Sequence, residues 1–505
     1  MFSLGLLKKT VVALTLLVML LYVLDILRQV HNNSKLVITS MNDVLQQLST
    51  GIDAGPDPVF HKVGQTQALA FSAYLDVRDE GRPFVRVFVL APRDINYNHF
   101  TCQLFYRDPP TVMNVSAKED RISSHFGFRY GVYNFLCNVP DRTPYPSHVS
   151  LTDKASDSAE PFLSSIPVVA PGDSVARYDF AVCLPTLFGA FNNSLILVQN
   201  LEMYRILGAG IVTVYNTSVS PIVNRILTHY SRVGFLEVVQ WPIENYLNPS
   251  KGWRPDIHPG ELHYYGQIAT MNDCLYRNMY RAKYISFADA DEVILPRQWS
   301  NWADMMRAID VHQSTSAFYF TLHTFPITNE ATWTSPLGGQ ASGTDILNQT
   351  AKQIPPADTK DATTKILGCP KGLVYVSVNT VLVSRPGYRV HTVPDAEGTL
   401  QHYKRWKKEW QLPDSSVLMR DFHVQNIFGS LLSRAWMNCV NPQPELLRKD
   451  GGRVEKLQEV AVCSLEKLPC RRGAVTRPVG ALLCRQRFTS LLRSCLRDEI
   501  FVIIV

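Results

Sequence analysis

Apolar runs and helix-spaced apolar positions alternate along residues 178–288. Short continuous runs, typical of buried strands, occur at Phe180–Pro185, Ile211–Tyr215, Phe235–Trp241 and Lys283–Ala288. Between them, apolar residues recur at helical spacing in Ser194–Gly208, Pro221–Tyr230 and Gln267–Arg281. Strands that alternate with helices predict right-handed crossovers and a mainly parallel sheet with flanking helices. The expected fold class is therefore α/β.

The preceding part of the chain has a different rhythm. Residues 66–175 contain short alternating runs, such as Pro83–Pro92 and Thr101–Asp108, that are interrupted by turn residues. This pattern predicts a β-rich accessory domain, with Cys102 and Cys137 as a candidate disulfide pair. Residues 29–65 are polar and irregular and predict a stem.

The N-terminus carries a membrane signal. Thr10–Leu24 contains no charged residue and lies between Lys8–Lys9 and Asp25. A cleaved signal peptide has a similar apolar length, but no cleavage site of small residues follows. We therefore expect an uncleaved signal-anchor over 10–28, with a cytosolic tail at 1–9 and type II topology.

Composition indicates a folded protein of the secretory pathway. Of 505 residues, 46% are hydrophobic and 19% charged, which excludes a disordered chain. The net charge of +6 has no basic run, so nucleic acid is not an expected partner. Five N-glycosylation acceptor triplets and ten cysteines fit an oxidising lumen. We expect the α/β domain to span 176–440, followed by a cysteine-containing region of unassigned function at 441–505.

A group of carboxylates follows the last predicted strand. Asp289, Asp291 and Glu292 lie between two apolar runs in Tyr284–Pro296. Carboxylates at a buried strand end repel one another unless a cation offsets their charge. Their oxygens suit Mn²⁺ or Mg²⁺, ions that commonly bridge to substrate phosphates. The alternative is a solvated turn after a strand.

Two histidines farther along are weaker candidates. His391 follows a strand-like segment, and His402 begins the sequence His-Tyr-Lys-Arg-Trp. Either could contact a metal or a phosphate, although a lone histidine near a strand is more often packed or hydrogen-bonded.

Several segments, in order, resemble glycosyltransferase family 92 over about residues 68–405. They are Ser72–Val87, Tyr178–Gly189, Leu201–Ser218, Val238–Trp241, Gly266–Asn278, Phe287–Pro296, Val390–Val393 and His402–Trp406. The resemblance implies a GT-A-like fold and an inverting galactosyltransferase that uses UDP-galactose, with β1,4 linkage. It implies galactosides or fucosylated N-glycans as acceptors.

The resemblance also implies roles for individual residues. Asp289, Asp291 and His391 would hold Mn²⁺ (or Mg²⁺) against the UDP diphosphate. Glu292 would orient ribose or metal-bound water, and His402 and Lys404 would contact phosphate. The uridine would be bound by Pro185, Thr186 and Tyr215.

An inverting transfer also needs a carboxylate base for the acceptor hydroxyl. The candidates between residues 300 and 420 are Glu330, Asp395 and Glu397, and Glu330 is preferred because it follows the apolar run Ala317–Phe325.

Two alternatives stay open. One is a transferase of the same fold with another UDP-sugar, and the other is a non-catalytic luminal scaffold. The expected partners are a nucleotide sugar and a glycoprotein or glycan acceptor, at the Golgi membrane with the catalytic part in the lumen. The sequence leaves open whether the chain forms a homodimer.

Overall fold

The computed structural model describes most of the chain between residues 60 and 432. The described ranges are 60–79, 82–107, 109–140, 144–153, 165–172, 176–327, 331–334, 340–343, 345–353, 364–405 and 418–432. The predicted signal-anchor, the stem up to residue 59 and the region 441–505 lie outside these ranges. No helix within the described ranges has the length and apolar character needed to cross a membrane.

Eight strands form the first sheet. They are β1 (His61–Lys62), β2 (Leu69–Asp76), β3 (Phe84–Pro92), β4 (Phe100–Arg107), β5 (Pro110–Arg121), β6 (Tyr130–Asn138), β7 (His148–Asp153) and β8 (Ile166–Val169). Their order is β1-β2-β3-β6-β5-β4-β7-β8, and a parallel pairing of β8 with β2 closes the sheet on itself. The predicted disulfide between Cys102 and Cys137 is present in its core. β1 pairs with β2 through His61 and Lys62. The first sheet therefore begins before residue 66, the predicted start of the β-rich domain.

Nine strands form the second sheet. They are β9 (Tyr178–Leu187), β10 (Ala209–Asn216), β11 (Leu236–Gln240), β12 (Ala282–Phe287), β13 (Glu292–Pro296), β14 (Thr315–Ile327), β18 (Thr364–Gly368), β21 (Arg389–Thr392) and β22 (Gly398–Arg405). The order is β11-β10-β9-β12-β18-β14-β22-β13, with β21 also paired to β14. The first four strands are parallel, whereas β18 and β13 run antiparallel to their neighbours. The sheet is thus mixed rather than purely parallel.

Six short strands form three further antiparallel pairs. They are β15 (Ala331–Thr334) with β16 (Gln340–Gly343), β17 (Ala351–Gln353) with β23 (Leu418–Arg420), and β19 (Leu373–Val376) with β20 (Val381–Ser384).

Four α-helices cover the second sheet. They are α1 (Ser194–Leu207), α2 (Pro221–Arg232), α3 (Gln267–Arg277) and α4 (Trp302–Ile309). Helices α1, α2 and α4 contribute to one apolar core with β9, whose Phe180, Val182 and Leu184 face that side. Helix α3 packs on the opposite face, together with residues of β2 and β3. The α/β class is confirmed, with α3 between the two sheets.

Buried polar groups join the two sheets. Asp76 at the end of β2 accepts hydrogen bonds from Arg78 and Arg86, and Arg78 also donates to the carbonyl oxygens of Pro370 and Leu373 at 2.6 Å. Burial opposes the charge of Asp76, but the two guanidinium groups outweigh it and lower its pKa to about 2.

Candidate functional site

The acidic turn, residues 289–292, follows β12 at the carboxyl end of the parallel strands. Its ends are tied to each other, since the Asp289 amide donates to the Glu292 carboxylate at 2.9 Å and the Glu292 amide donates to the Asp289 carbonyl at 3.1 Å. Ligands of open α/β sheets bind at this edge. The turn therefore lies where a substrate site is expected.

Helix α1 and strand β22 hold this turn from outside. Asn200 and Tyr204, four residues apart on α1, donate to the carbonyl oxygens of Ala290 and Glu292, each at 2.6 Å. The amide of Tyr403 on β22 donates to the Asp291 carbonyl at 2.9 Å. Residues four apart share one helix face, so a single face of α1 binds two carbonyl oxygens of the turn.

A buried lysine is the counterion of two carboxylates. The Lys365 ammonium, on β18, lies 3.0 Å from Oδ2 of Asp289 and 3.2 Å from Oε2 of Glu292. Burial disfavours its charge, but these carboxylates outweigh that effect and raise the pKa of Lys365. Burial also raises the pKa of Glu292, and Lys365 partly opposes this rise.

His402 faces the third carboxylate. Its Nε2 lies 3.5 Å from Oδ2 of Asp291, and its Nδ1 lies 3.8 Å from Oε1 of Glu292. Burial opposes protonation, but the contact with Asp291 and the nearby carboxylate charges raise the pKa of His402. Side chains alternate along a strand, so Lys404 lies on the same face as His402, and its side chain is exposed.

The end of β9 and the start of α3 form another wall. Pro185 and Thr186 lie in the last residues of β9, and within the described part of the chain the buried hydroxyl of Thr186 has no hydrogen-bond partner. Phe188 follows them; its ring stacks on Tyr265 with centroids 4.0 Å apart and meets the Tyr264 ring edge-on at 5.1 Å.

Two consecutive tyrosines have a left-handed backbone. Tyr264 and Tyr265 have φ of 37° and 55°, and Gly266 follows with φ of 80°. Non-glycine residues rarely adopt this conformation, and it persists only where surrounding contacts enforce it. Here Trp241 donates to the Tyr265 carbonyl at 2.9 Å, and the Tyr264 amide donates to Ser250 at 3.0 Å.

This geometry brings Tyr264 close to the acidic turn. Burial and the charges of Asp289 and Asp291 together raise the pKa of Tyr264 to about 12. Gln267, the first residue of α3, donates to Oδ1 of Asp289 at 3.3 Å. The start of α3 thus contributes a ring and an amide to the site.

Two predicted site residues lie elsewhere. Tyr215 is completely buried beneath the sheet and its hydroxyl donates to Asp273, so it supports β10 and does not present its ring to a ligand. His391 is exposed on β21 opposite Phe318, whereas His402 lies opposite Thr324. Six residues of β14 separate these positions, which is about 20 Å.

Asp395, one of the candidate bases, lies in the loop that precedes β22 and accepts from His323 at 2.9 Å. His323 lies opposite Gln401, the neighbour of His402 on β22, and because side chains alternate along a strand, this pair faces the other side of the sheet. Glu330 lies outside the described residues, three positions beyond the end of β14.

The sequence interpretation missed three residues: Gln267, Tyr264 and Lys365. The signal for Lys365 was a lysine at the start of the apolar run Lys365–Gly368, which predicts a charge on a buried strand. The conformation of Tyr264 has no comparable sequence signal, because left-handed backbone normally selects glycine or asparagine.

Side chains that can ligate metals occur throughout the described ranges. Within them, no group of three or more His, Cys, Asp or Glu side chains has an arrangement suited to holding a metal ion. Asp291 and His402 are two donors with atoms 3.5 Å apart, and both retain some exposure. A carboxylate and an imidazole fit a divalent cation whose other ligands come from substrate and water.

The fold and the site define an α/β protein with an acidic turn at the carboxyl end of a parallel strand. The family model of glycosyltransferase family 92 matches residues 178–433, just over half of the 505 residues. The chain belongs to glycosyltransferase family 92.

Individual relatives are more distant. A Caenorhabditis elegans glycosyltransferase family 92 protein is 30% identical over 139 residues, 27% of either chain. The C. elegans beta-1,4-galactosyltransferase galt-1 is 24% identical over 276 residues, 51% of this chain and 59% of that relative. The matches therefore span less than two thirds of these relatives. The S. aureus TarS structure in complex with UDP-GlcNAc is 15% identical, covering 46% of this chain and 60% of that one, with a TM-score of 0.26.

Proposed function

We propose that the chain is an inverting galactosyltransferase that transfers galactose from UDP-galactose to a galactoside or a fucosylated N-glycan, in β1,4 linkage. The observation that carries this proposal is the acidic turn with Asp291 beside His402 at the sheet edge of a family 92 chain. Similarity to the galactosyltransferase galt-1 supports galactose as the donor sugar.

Asp291 and His402 are the residues that would hold Mn²⁺ or Mg²⁺. When bound, the ion would neutralise the charge that develops on the departing diphosphate. Glu292 stands opposite His402, and its carboxylate lies 3.8 Å from Nδ1 as a nearby negative charge, while Nε2 lies 3.5 Å from Asp291. Lys404 shares the face of His402 and supplies a point charge for phosphate.

The remaining walls bind the donor. Pro185 and Thr186 lie at the end of β9, the strand that precedes the site. The buried Thr186 hydroxyl has no hydrogen-bond partner within the described chain. The rings of Phe188 and Tyr264 form an aromatic surface beside the acidic turn, suited to the flat face of a base or sugar.

The transfer is a single displacement. The acceptor hydroxyl oxygen forms a bond to the anomeric carbon while the bond from that carbon to the diphosphate oxygen breaks, so the configuration inverts. Glu330 is our proposed base and takes the hydroxyl proton. UDP leaves with the bonding electrons.

We also propose a location in the Golgi lumen on a type II anchor. The uncharged segment at residues 10–24 supports the anchor. Buried disulfides Cys102–Cys137 and Cys183–Cys274 are typical of an oxidising compartment.

The test is transfer from radiolabelled UDP-galactose by the full-length protein in mild detergent. The acceptor panel contains galactosides and fucosylated N-glycans, with Mn²⁺ or with EDTA. We expect labelled product that requires the metal and disappears in Asp291→Ala. Transfer from UDP-GlcNAc but not from UDP-galactose would reject the donor, and no transfer from any UDP-sugar would reject the activity.

A further inference from the structure

Lys365 is a charged group in an almost fully buried position. The residue is 2% exposed and lies on β18, in the middle of the second sheet. Isolated buried charges are strongly unfavourable, so a lysine persists here only with closely placed counterions. Asp289 and Glu292 supply them at 3.0 and 3.2 Å.

This contact divides the three carboxylates into two groups. Asp289 and Glu292 share the Lys365 ammonium, and Gln267 completes the polar contacts of Asp289. Asp291 instead faces His402 and has a side chain that is 37% exposed. The side chains of Asp289 and Asp291 are similarly exposed, at 35% and 37%, so the two groups differ in their counterion. A cation from solution therefore meets one carboxylate beside an imidazole and two that already share an ammonium group.

We propose that Lys365 is a built-in counter-cation, which positions Asp289 and Glu292 and restricts the acidic turn to one weakly held exchangeable divalent cation at Asp291. The inference rests on the proposed function for the identity of that cation. Lys365 is a positioning residue, because it acts through the carboxylates and not on the substrate.

The test measures Mn²⁺ binding and thermal stability of the full-length protein and of Lys365→Met. Methionine preserves the length of the side chain and removes its charge. In EDTA we expect the midpoint of unfolding to fall by roughly 10 °C, since the buried Glu292 and the half-buried Asp289 lose their counterion. Mn²⁺ should then bind at least about tenfold more tightly than to the wild type, because a nearby positive charge has been removed.

Lys352→Met is the matched control. Lys352 is also buried, and its ammonium lies 3.2 Å from Oδ2 of Asp421, away from the acidic turn. This variant should lose stability without any change in Mn²⁺ affinity. If Lys365→Met does not fold, the double variant Glu292→Gln/Lys365→Met is used instead, because Glu292 is the buried carboxylate of the pair. If Lys365 acts as the counterion, the double variant recovers at least half of the soluble yield of the wild type. A lower yield contradicts the proposal.

The outcomes separate this inference from the proposed function. Tighter Mn²⁺ binding by Lys365→Met supports the counter-cation, even if the wild type binds none. Affinity within twofold of the wild type overturns it. Galactose transfer by the wild type, measured in the same preparations, reports on the proposed function alone.

Discussion

Glu292 and His402 stand directly opposite each other on the antiparallel strands β13 and β22. The two nitrogens of the His402 ring therefore face different carboxylates, Nδ1 towards Glu292 at 3.8 Å and Nε2 towards Asp291 at 3.5 Å. The strand pairing places the ring between the two carboxylates, with Nε2 closer to Asp291 than Nδ1 is to Glu292. This pairing is the basis of the first prediction.

Asp291→Asn and His402→Gln should each lower galactose transfer at least about 100-fold, because each removes a donor atom for the cation. Both should also abolish the stabilisation by Mn²⁺ that a thermal melt detects. The control is Asp179→Asn, which removes an exposed ion pair with Lys283 at the opposite end of the same strands and should retain full activity. A variant that loses activity but keeps its Mn²⁺ stabilisation would show that neither side chain is a ligand.

Glu330→Gln should lower kcat by about 100-fold or more without changing the KM for UDP-galactose, since only proton removal is lost. Steady-state kinetics with saturating acceptor measures this. Asp395→Asn should stay within about threefold of the wild type, because Asp395 pairs with His323 on the opposite face of the sheet from His402. The reverse pattern would transfer the role of base to Asp395.

Tyr264→Ala should raise the KM for UDP-galactose about tenfold and change kcat little, because it removes an aromatic wall that binds the donor. Tyr264→Phe keeps the ring and should bind the donor almost normally. Tyr145→Ala, which removes a partly exposed ring from the loop before β7, is the control. Equal KM values for Tyr264→Ala and the wild type would remove Tyr264 from the donor site.

His263 should make stability depend on pH. It is buried against Phe126, with ring centroids 4.1 Å apart, and burial lowers its pKa to about 4. Below pH 6.5, the ordinary pKa of histidine, this side chain is protonated in the unfolded chain but stays neutral in the folded chain. The contribution of His263 to the free energy of unfolding is therefore fully present above about pH 6.5. It falls by about 3 kcal/mol in all as the pH drops towards 4.

Urea unfolding between pH 7 and 4.5 measures this loss. His263→Phe keeps an aromatic ring in the stack and should flatten the profile over this range. The matched change at exposed His312 should leave the profile as in the wild type. An unaltered profile in His263→Phe would assign the pH dependence to other groups.

The periodic part of the fold could be predicted from the sequence. Apolar runs and helical spacing over residues 178–288 correspond to β9–β12 and α1–α3, because these elements bury one face against a common sheet. The order of the later strands in the second sheet could not be predicted in this way. β18 and β22 come from residues far apart in the chain, and their positions beside β12 and β13 depend on tertiary pairing.

The part of the site that lies in one short segment could be predicted from the sequence. Asp289, Asp291 and Glu292 are close in sequence, and their position after a strand places them at the sheet edge. Tyr215 lies near the end of its own strand, β10, yet strand alternation and the contact with Asp273 place its ring in the core. The apolar run that begins at Lys365 indicates a charge on a buried strand, but no local pattern predicts its contact with Asp289, 76 residues away.

The disulfide between Cys183 and Cys274 joins the strand that carries Pro185 and Thr186 to the helix that begins at Gln267. These two elements form neighbouring sides of the candidate site. The covalent link between them keeps the distance between these two sides constant. A change in the width of the site during a catalytic cycle is therefore expected on the side of β22.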